Sequence, residues 1–212
     1  MIAHDSWPVD PAVMAPFLAA VLLTELTPGP NMTWLAVLAM NQGRAAGFAA
    51  VAGVTLALSV YMLAAAFGVA ELFARFPAAY EVLRWAGVLF LLWLAWEMAF
   101  RPAAATRGPP AGHERDWRAF RRGVIGNLLN PKAALFYVVM LPTFMQPGHA
   151  PPFGQALLLG TTHILVSVGV HGGIVIGADR LGASARLDRE SIRWASGATL
   201  MAIAFWLALQ AR

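Results

Sequence analysis

Apolar positions fill six stretches of the chain, near 12–41, 45–70, 78–100, 119–145, 152–178 and 190–211, with polar and charged residues gathered between them. Residues 45–70 and 150–178 contain no Asp, Glu, Lys or Arg. Each run exceeds the roughly 20 residues that carry a helix across about 30 Å of hydrocarbon. In the third stretch, Glu81, Arg84 and Glu97 leave only 85–96 free of charge. The first is too long for a straight crossing, being about 45 Å at the helical rise. The pattern predicts an all-α polytopic membrane protein of six transmembrane helices.

Two of the six stretches are broken where a spanning helix should be continuous. Thr27, Pro28, Gly29, Pro30 and Asn31 interrupt the first; Asn127, Asn130, Pro131 and Lys132 interrupt the fourth. Proline lacks a backbone donor and clashes with the preceding turn, so each run disrupts its helix. Inside a bilayer the freed backbone groups survive only where protein or an aqueous cavity satisfies them. Interrupted helices in corresponding positions of two halves point to a transporter's binding site.

Charge sets the orientation. The connections near 41–45, 101–122 and 179–193 carry Arg44, Arg101, Arg107, Arg115, Arg118, Arg121, Arg122, Arg180, Arg186, Arg189 and Arg193, whereas the opposite set and the termini hold only Arg75, Arg84 and Arg212. Basic residues collect on the cytoplasmic side, which places both termini in the periplasm. Three spans per half then enter from opposite sides. The expected organisation is one transmembrane domain over 1–212, with inverted three-helix halves at 12–100 and 119–211. Pro102, Gly108, Pro109, Pro110 and Gly112 mark 101–118 as the cytoplasmic linker. Met1–Asp5 lacks the basic region of a cleavable signal, so the first apolar run is expected to remain as a helix.

Hydrophobic residues make up 59% of the chain and charged ones 12%, against about 25% charged in soluble domains. The net charge of +4 follows the loop arginines and does not imply nucleic-acid binding. The absence of cysteine excludes disulfides and thiol chemistry. Neither a nucleophile elbow, a Walker loop nor an HExxH is present, so nothing suggests an enzyme or a bound cofactor. The eight tryptophans read mainly as interface anchors.

The candidate binding residues are those of the two breaks: Thr27, Pro28, Gly29, Pro30, Asn31, Asn127, Asn130, Pro131 and Lys132. The half-helices that begin after each break aim their amide ends back at it, an arrangement suited to a carboxylate. Charge inside a bilayer is expensive, so Glu25 and Lys132 should face a cavity, a partner or each other. Glu25 is a candidate proton-coupling carboxyl; a permanent ion pair with Lys132 is the structural alternative. His163 and His171, eight apart on the fifth span, share roughly one face. Without a third ligand they make a poor metal site, leaving packing or a proton relay, and His171 joins Glu25 as a coupling candidate. Gly169, Gly173 and Gly177 form a stripe for close helix packing, within the chain or in a dimer.

These residues resemble the LysE/RhtB amino-acid exporters of bacterial inner membranes. The likeness runs nearly end to end. It comprises Thr27–Asn31, Gly43, Gly47, Gly53, Trp85, Gly87, Leu91, Leu92, Phe120, Gly123, Asn127, the run Asn130–Ala133, Phe136, Pro142 and Phe144. The chain departs from the family pattern at Ala57, where a glycine is common, at His171, where an acidic residue is common, and at Glu25. The resemblance implies export of amino acids or close analogues, proton antiport, and often a homodimer. Export of another small solute or cation, or a non-transporting membrane scaffold, are the other readings.

Overall fold

The computed structural model describes residues 8–27, 29–68, 112–146 and 149–184, together with positions 78, 82, 85, 86, 88, 89, 92, 93, 96, 198, 201, 202 and 205. Every regular element among the described residues is helical. Helix α1 spans Pro11–Leu26; Asp10 caps it by accepting from the Ala12 amide at 2.8 Å, and Pro11 suits the first turn. It stops where the sequence requires. A proline at 28 biases the residue before it away from helix, and Thr27 is extended (φ −67°, ψ 118°). Pro28 itself lies outside the described residues. The chain re-enters helix as α2, Pro30–Ala66.

Helix α2 is folded over at Gly43, whose φ of 81° and ψ of 171° suit only glycine. A Cβ placed on Gly47 would lie 3.3 Å from that of Ala39, although eight residues of straight helix span about 12 Å. The two arms are therefore antiparallel. The Asp179 carboxylate steadies the turn by accepting from the Arg44 amide at 3.2 Å. This turn falls at the expected boundary between the first and second spans, and helix ends at Ala66, four residues before the expected limit of 70.

Helix α3, Gly112–Leu128, begins within the expected 101–118 linker, so residues 112–118 are helical rather than irregular. Its first turns are polar and arginine-rich; burial starts at Ala119 and continues through Gly123 and Asn127. After the break come α4 (Pro131–Leu135), a π-helical turn (Phe136–Met140) and α5 (Leu141–Thr143). Pro142 has no N–H to return to the fourth residue before it, which accounts for the widened register. The arms on either side of the break are bent by 52°. Helix α6 runs from Pro152 to Ser184, six residues past the expected end of the fifth span.

By composition, Asn31–Ala66, which the turn at Gly43 divides into two arms, and Pro152–Gly182 are apolar enough to cross a membrane, and α3 with its continuation to Thr143 makes a further, broken span. The expected third and sixth spans, and linker residues 101–111, lie almost wholly outside the described residues.

Small residues let the helix backbones meet. A Cβ on Gly53 would sit 2.1 Å from the Phe120 carbonyl oxygen, and one on Gly123 would sit 2.3 Å from that of Ala50. These two glycines face each other's helices where α2 crosses α3, as in membrane packing generally. Gly169, Gly173 and Gly177 do not share this role: no described residue comes within 4 Å of a Cβ built on any of them. The reason is helical phase. The buried stripe of α6 runs through Ala156, Leu159, His163, Ser167, His171, Val175 and Ala178, which turns the three glycines outward.

Candidate functional site

The two breaks meet. A cavity of about 30 Å³ lies between them, lined by Gly29, Asn31, Asn127, Asn130 and Lys132 of the breaks and by Glu25, His163 and His171. That is room for about two water molecules.

Several of the backbone groups freed at the breaks have protein partners. Asn130 is the cap of α4, its side chain accepting from the Lys132 amide at 3.1 Å. Lys132 Nζ reaches the other break and donates to the Thr27 carbonyl at 2.8 Å. The Tyr61 hydroxyl donates to the Leu128 carbonyl at 2.7 Å. Asn31 Nδ2 donates to Asn127 Oδ1 at 2.7 Å, a second link between the breaks. The Asn127 Nδ2 group is buried with no hydrogen-bond partner. A buried amide donor left unpaired costs about 1–3 kcal/mol.

The remaining polar lining is a carboxylate and two imidazoles. Glu25 is buried at 7% exposure. Its Oε1 lies 3.0 Å from His163 Nε2, and its Oε2 lies 3.8 Å from His171 Nε2, beyond hydrogen-bond reach. His163 Nδ1 lies 3.0 Å from the Tyr137 hydroxyl, and His171 Nδ1 lies 3.1 Å from Ser167 Oγ. The Phe136 ring stacks on His163 with centroids 3.8 Å apart. Glu25 is thus held by histidines, while Lys132 is committed to a carbonyl; the direct pair between them that the sequence allowed is not formed.

Of the nine residues singled out at the breaks, Gly29, Asn31, Asn127, Asn130 and Lys132 face the cavity. Thr27 contributes its carbonyl, but its hydroxyl turns back to donate to the Leu23 carbonyl at 2.6 Å. Pro131 is buried as the first residue of α4, and Pro30 opens α2. Glu25 and His171, the two coupling candidates, both line the cavity. His163 was weighed in the sequence as packing or a proton relay, whereas Ser167 and Tyr137 were not singled out. The spacing of 163, 167 and 171 on one helical face is the signal for Ser167. Tyr137 carries none, because its direction is set by the π turn. Among the described residues, no group of three His, Cys, Asp or Glu side chains is gathered for a metal ion.

Comparison with known proteins identifies the family. The family described as LysE type translocator matches residues 22–211. The homoserine/homoserine lactone efflux protein of Salmonella typhimurium is 30% identical over 167 residues, covering 79% of this chain and 81% of the relative. The leucine efflux protein of an Enterobacter species (strain 638) is 31% identical, covering 71% and 72%. The cysteine/O-acetylserine efflux protein of Salmonella paratyphi A is 33% identical, covering 78% and 81%. No solved structure matches. With nearly its whole length matched, the chain belongs to the LysE-type translocators, a family of transporters and not of enzymes.

Proposed function

We propose that this protein exports amino acids or close analogues across the bacterial inner membrane by proton antiport with alternating access. The observation that carries the reading is the cavity that residues of both helix breaks line, Lys132 and Asn127 among them. A carboxylate satisfies both of these donors at once, and the first turn of α2, which has no side-chain cap, adds backbone amides. Glu25, in the same lining, is the acidic group through which proton movement is coupled to the substrate.

The cavity of about 30 Å³ is smaller than any amino acid, so the breaks must part for the site to fill. The arriving carboxylate takes the place of the Thr27 carbonyl on Lys132. Exchanging one acceptor for another leaves the lysine paired throughout, which a low-dielectric site requires. The solutes named for the relatives share an α-amino group, whereas homoserine lactone has no free carboxylate. The surrounding architecture in this reading is six spans in two inverted halves, 12–100 and 119–211, joined by a cytoplasmic linker over 101–118. Both termini are periplasmic. Eleven of the fourteen arginines support that orientation, and an active phosphatase fusion with a dark fluorescent-protein fusion at Arg212 is the expected result.

Radiolabelled amino acids presented to proteoliposomes, with and without an imposed pH gradient, test the function. At least one should be accumulated against its gradient when protons flow the other way. If none moves, export of amino acids is refuted; movement indifferent to the pH gradient refutes the antiport.

A further inference from the structure

We propose that the Glu25 carboxylate is the subsite for the substrate's α-ammonium group, and that protonated His163 is the cation that occupies it when the substrate is absent. One carboxylate then serves substrate and proton in turn. This rests on the reading of the cavity as an amino-acid site and adds the orientation of the substrate and the identity of the proton carrier.

Three observations lead there. The cavity lining holds both a cation, Lys132, and an acid, Glu25, that are not paired with each other, matching the two charges of a zwitterion. Glu25 offers an oxygen that is not hydrogen-bonded, since His171 Nε2 stands 3.8 Å from Oε2. An ammonium has three donors to place, and Oε2 is open to one of them.

His163 is held so that it can change charge without being released. Protonated, it donates through Nε2–H to Glu25 Oε1 and through Nδ1–H to the Tyr137 oxygen, at 3.0 Å in each case. The face of Phe136 against the ring favours the cation. Loss of the Nε2 proton leaves the ring fixed by Nδ1–H···Tyr137 and turns Nε2 into an acceptor. The incoming ammonium then donates to Glu25 and to Nε2, and the released proton passes to cavity water on whichever side is open. No bond to carbon changes, and the balance is one proton out for one ammonium in. Both cations together would leave two positive charges beside a single buried carboxylate, with Lys132 facing the same space.

The titratable groups facing Glu25 from the packed elements are His163 and His171 on α6, Lys132 on α4 and Tyr137 on the π turn; Tyr61 of α2 stacks on Tyr137 with its hydroxyl on the Leu128 carbonyl. His171 is the rival carrier. Its longer separation from Glu25 and its Ser167 contact set it behind His163.

The test uses the purified full-length chain in detergent and isothermal titration in buffers of different ionisation enthalpy. The twenty common α-amino acids and homoserine are screened, and the tightest is compared with its 2-hydroxy acid, which lacks the ammonium, and its amino alcohol, which lacks the carboxylate. For the wild type, the amino acid should release up to about one proton per site and the hydroxy acid far less. Glu25→Gln should weaken the amino acid and the amino alcohol by about tenfold or more, as expected for losing a charged hydrogen bond, and leave the hydroxy acid nearly unchanged. His163→Gln should bind the amino acid without proton release, whereas His171→Gln should keep it.

Equal proton release by amino acid and hydroxy acid in the wild type overturns the proposal and needs no variant to fold. So does a Glu25→Gln protein that loses both ligands alike, or a His163→Gln protein that still releases the proton. If the folded wild type binds no member of the panel, the amino-acid reading fails first and the subsite falls with it.

Discussion

Gly53→Ala sets two physical effects against each other. Replacing glycine by alanine inside a helix ordinarily stabilises it by up to about 1 kcal/mol. Here the new methyl would lie 2.1 Å from the Phe120 carbonyl oxygen and 2.9 Å from the Val124 amide nitrogen. Ordinary contact begins near 3.4 Å, so the shortfall is about 1.3 Å. The obstacle is backbone, and no rotamer change relieves it; α2 and α3 must separate. Overpacking of this kind costs roughly 1–3 kcal/mol. The same separation stretches the Tyr61–Leu128 bond, now 2.7 Å, at a further cost of about 1 kcal/mol. Against the gain in propensity, the net loss is roughly 1–3 kcal/mol. At about 2–4 °C per kcal/mol for a chain of this size, the melting temperature should fall by roughly 2–12 °C. Thermal unfolding in detergent, followed by tryptophan fluorescence, measures it. Gly123→Ala should behave alike, because its methyl meets the Ala50 carbonyl at 2.3 Å. Their combination should cost less than the sum, since one separation accommodates both methyls. A Gly53→Ala protein that melts higher than the wild type refutes the close crossing of α2 and α3.

Lys132→Met should abolish export while the protein still purifies as a folded species, because an apolar side chain suits the bilayer better than an unpaired charge; wild-type transport by this variant would remove Lys132 from the site. Asn31→Cys with Asn127→Cys should cross-link with a short reagent on this cysteine-free chain, the native side chains being 2.7 Å apart, and failure while control pairs react would separate the two breaks. Phosphatase and fluorescent-protein fusions at Arg212 should report a periplasmic terminus; a fluorescent, phosphatase-negative result inverts the topology.

The breaks were legible because proline and glycine act locally. The residue before Pro28 leaves the helix, and Asn130 before Pro131 becomes a cap, whatever surrounds them. The turn at Gly43 was legible for a similar reason, lying between two apolar runs at an arginine. What could not be read is the partner of each buried charge. Glu25 meets His163 across 138 residues of sequence, and Lys132 meets the Thr27 carbonyl across 105. Such pairings depend on how the helices are rotated about their axes, which periodicity constrains only to a face. The glycine stripe at 169, 173 and 177 illustrates the point: small residues permit close packing without naming the partner, and burial of His163 and His171 turns the stripe away from the other described helices. Tyr137 lay further out of reach, because a π turn shifts register by one residue and leaves no mark in composition.

The bond from Lys132 to the Thr27 carbonyl has a practical side, because this is the chain's only lysine. Apart from the terminal amine, the sole primary amine of the protein is the group that ties one helix break to the other. Amine-selective reagents small enough to enter the cavity therefore become a natural reporter of its state. They should be slow against the tied form and fast once the breaks part, with a filled site again slow. The rate of acylation at a single unmodified side chain would then follow the opening of the transporter in native membranes, with no introduced label to disturb it.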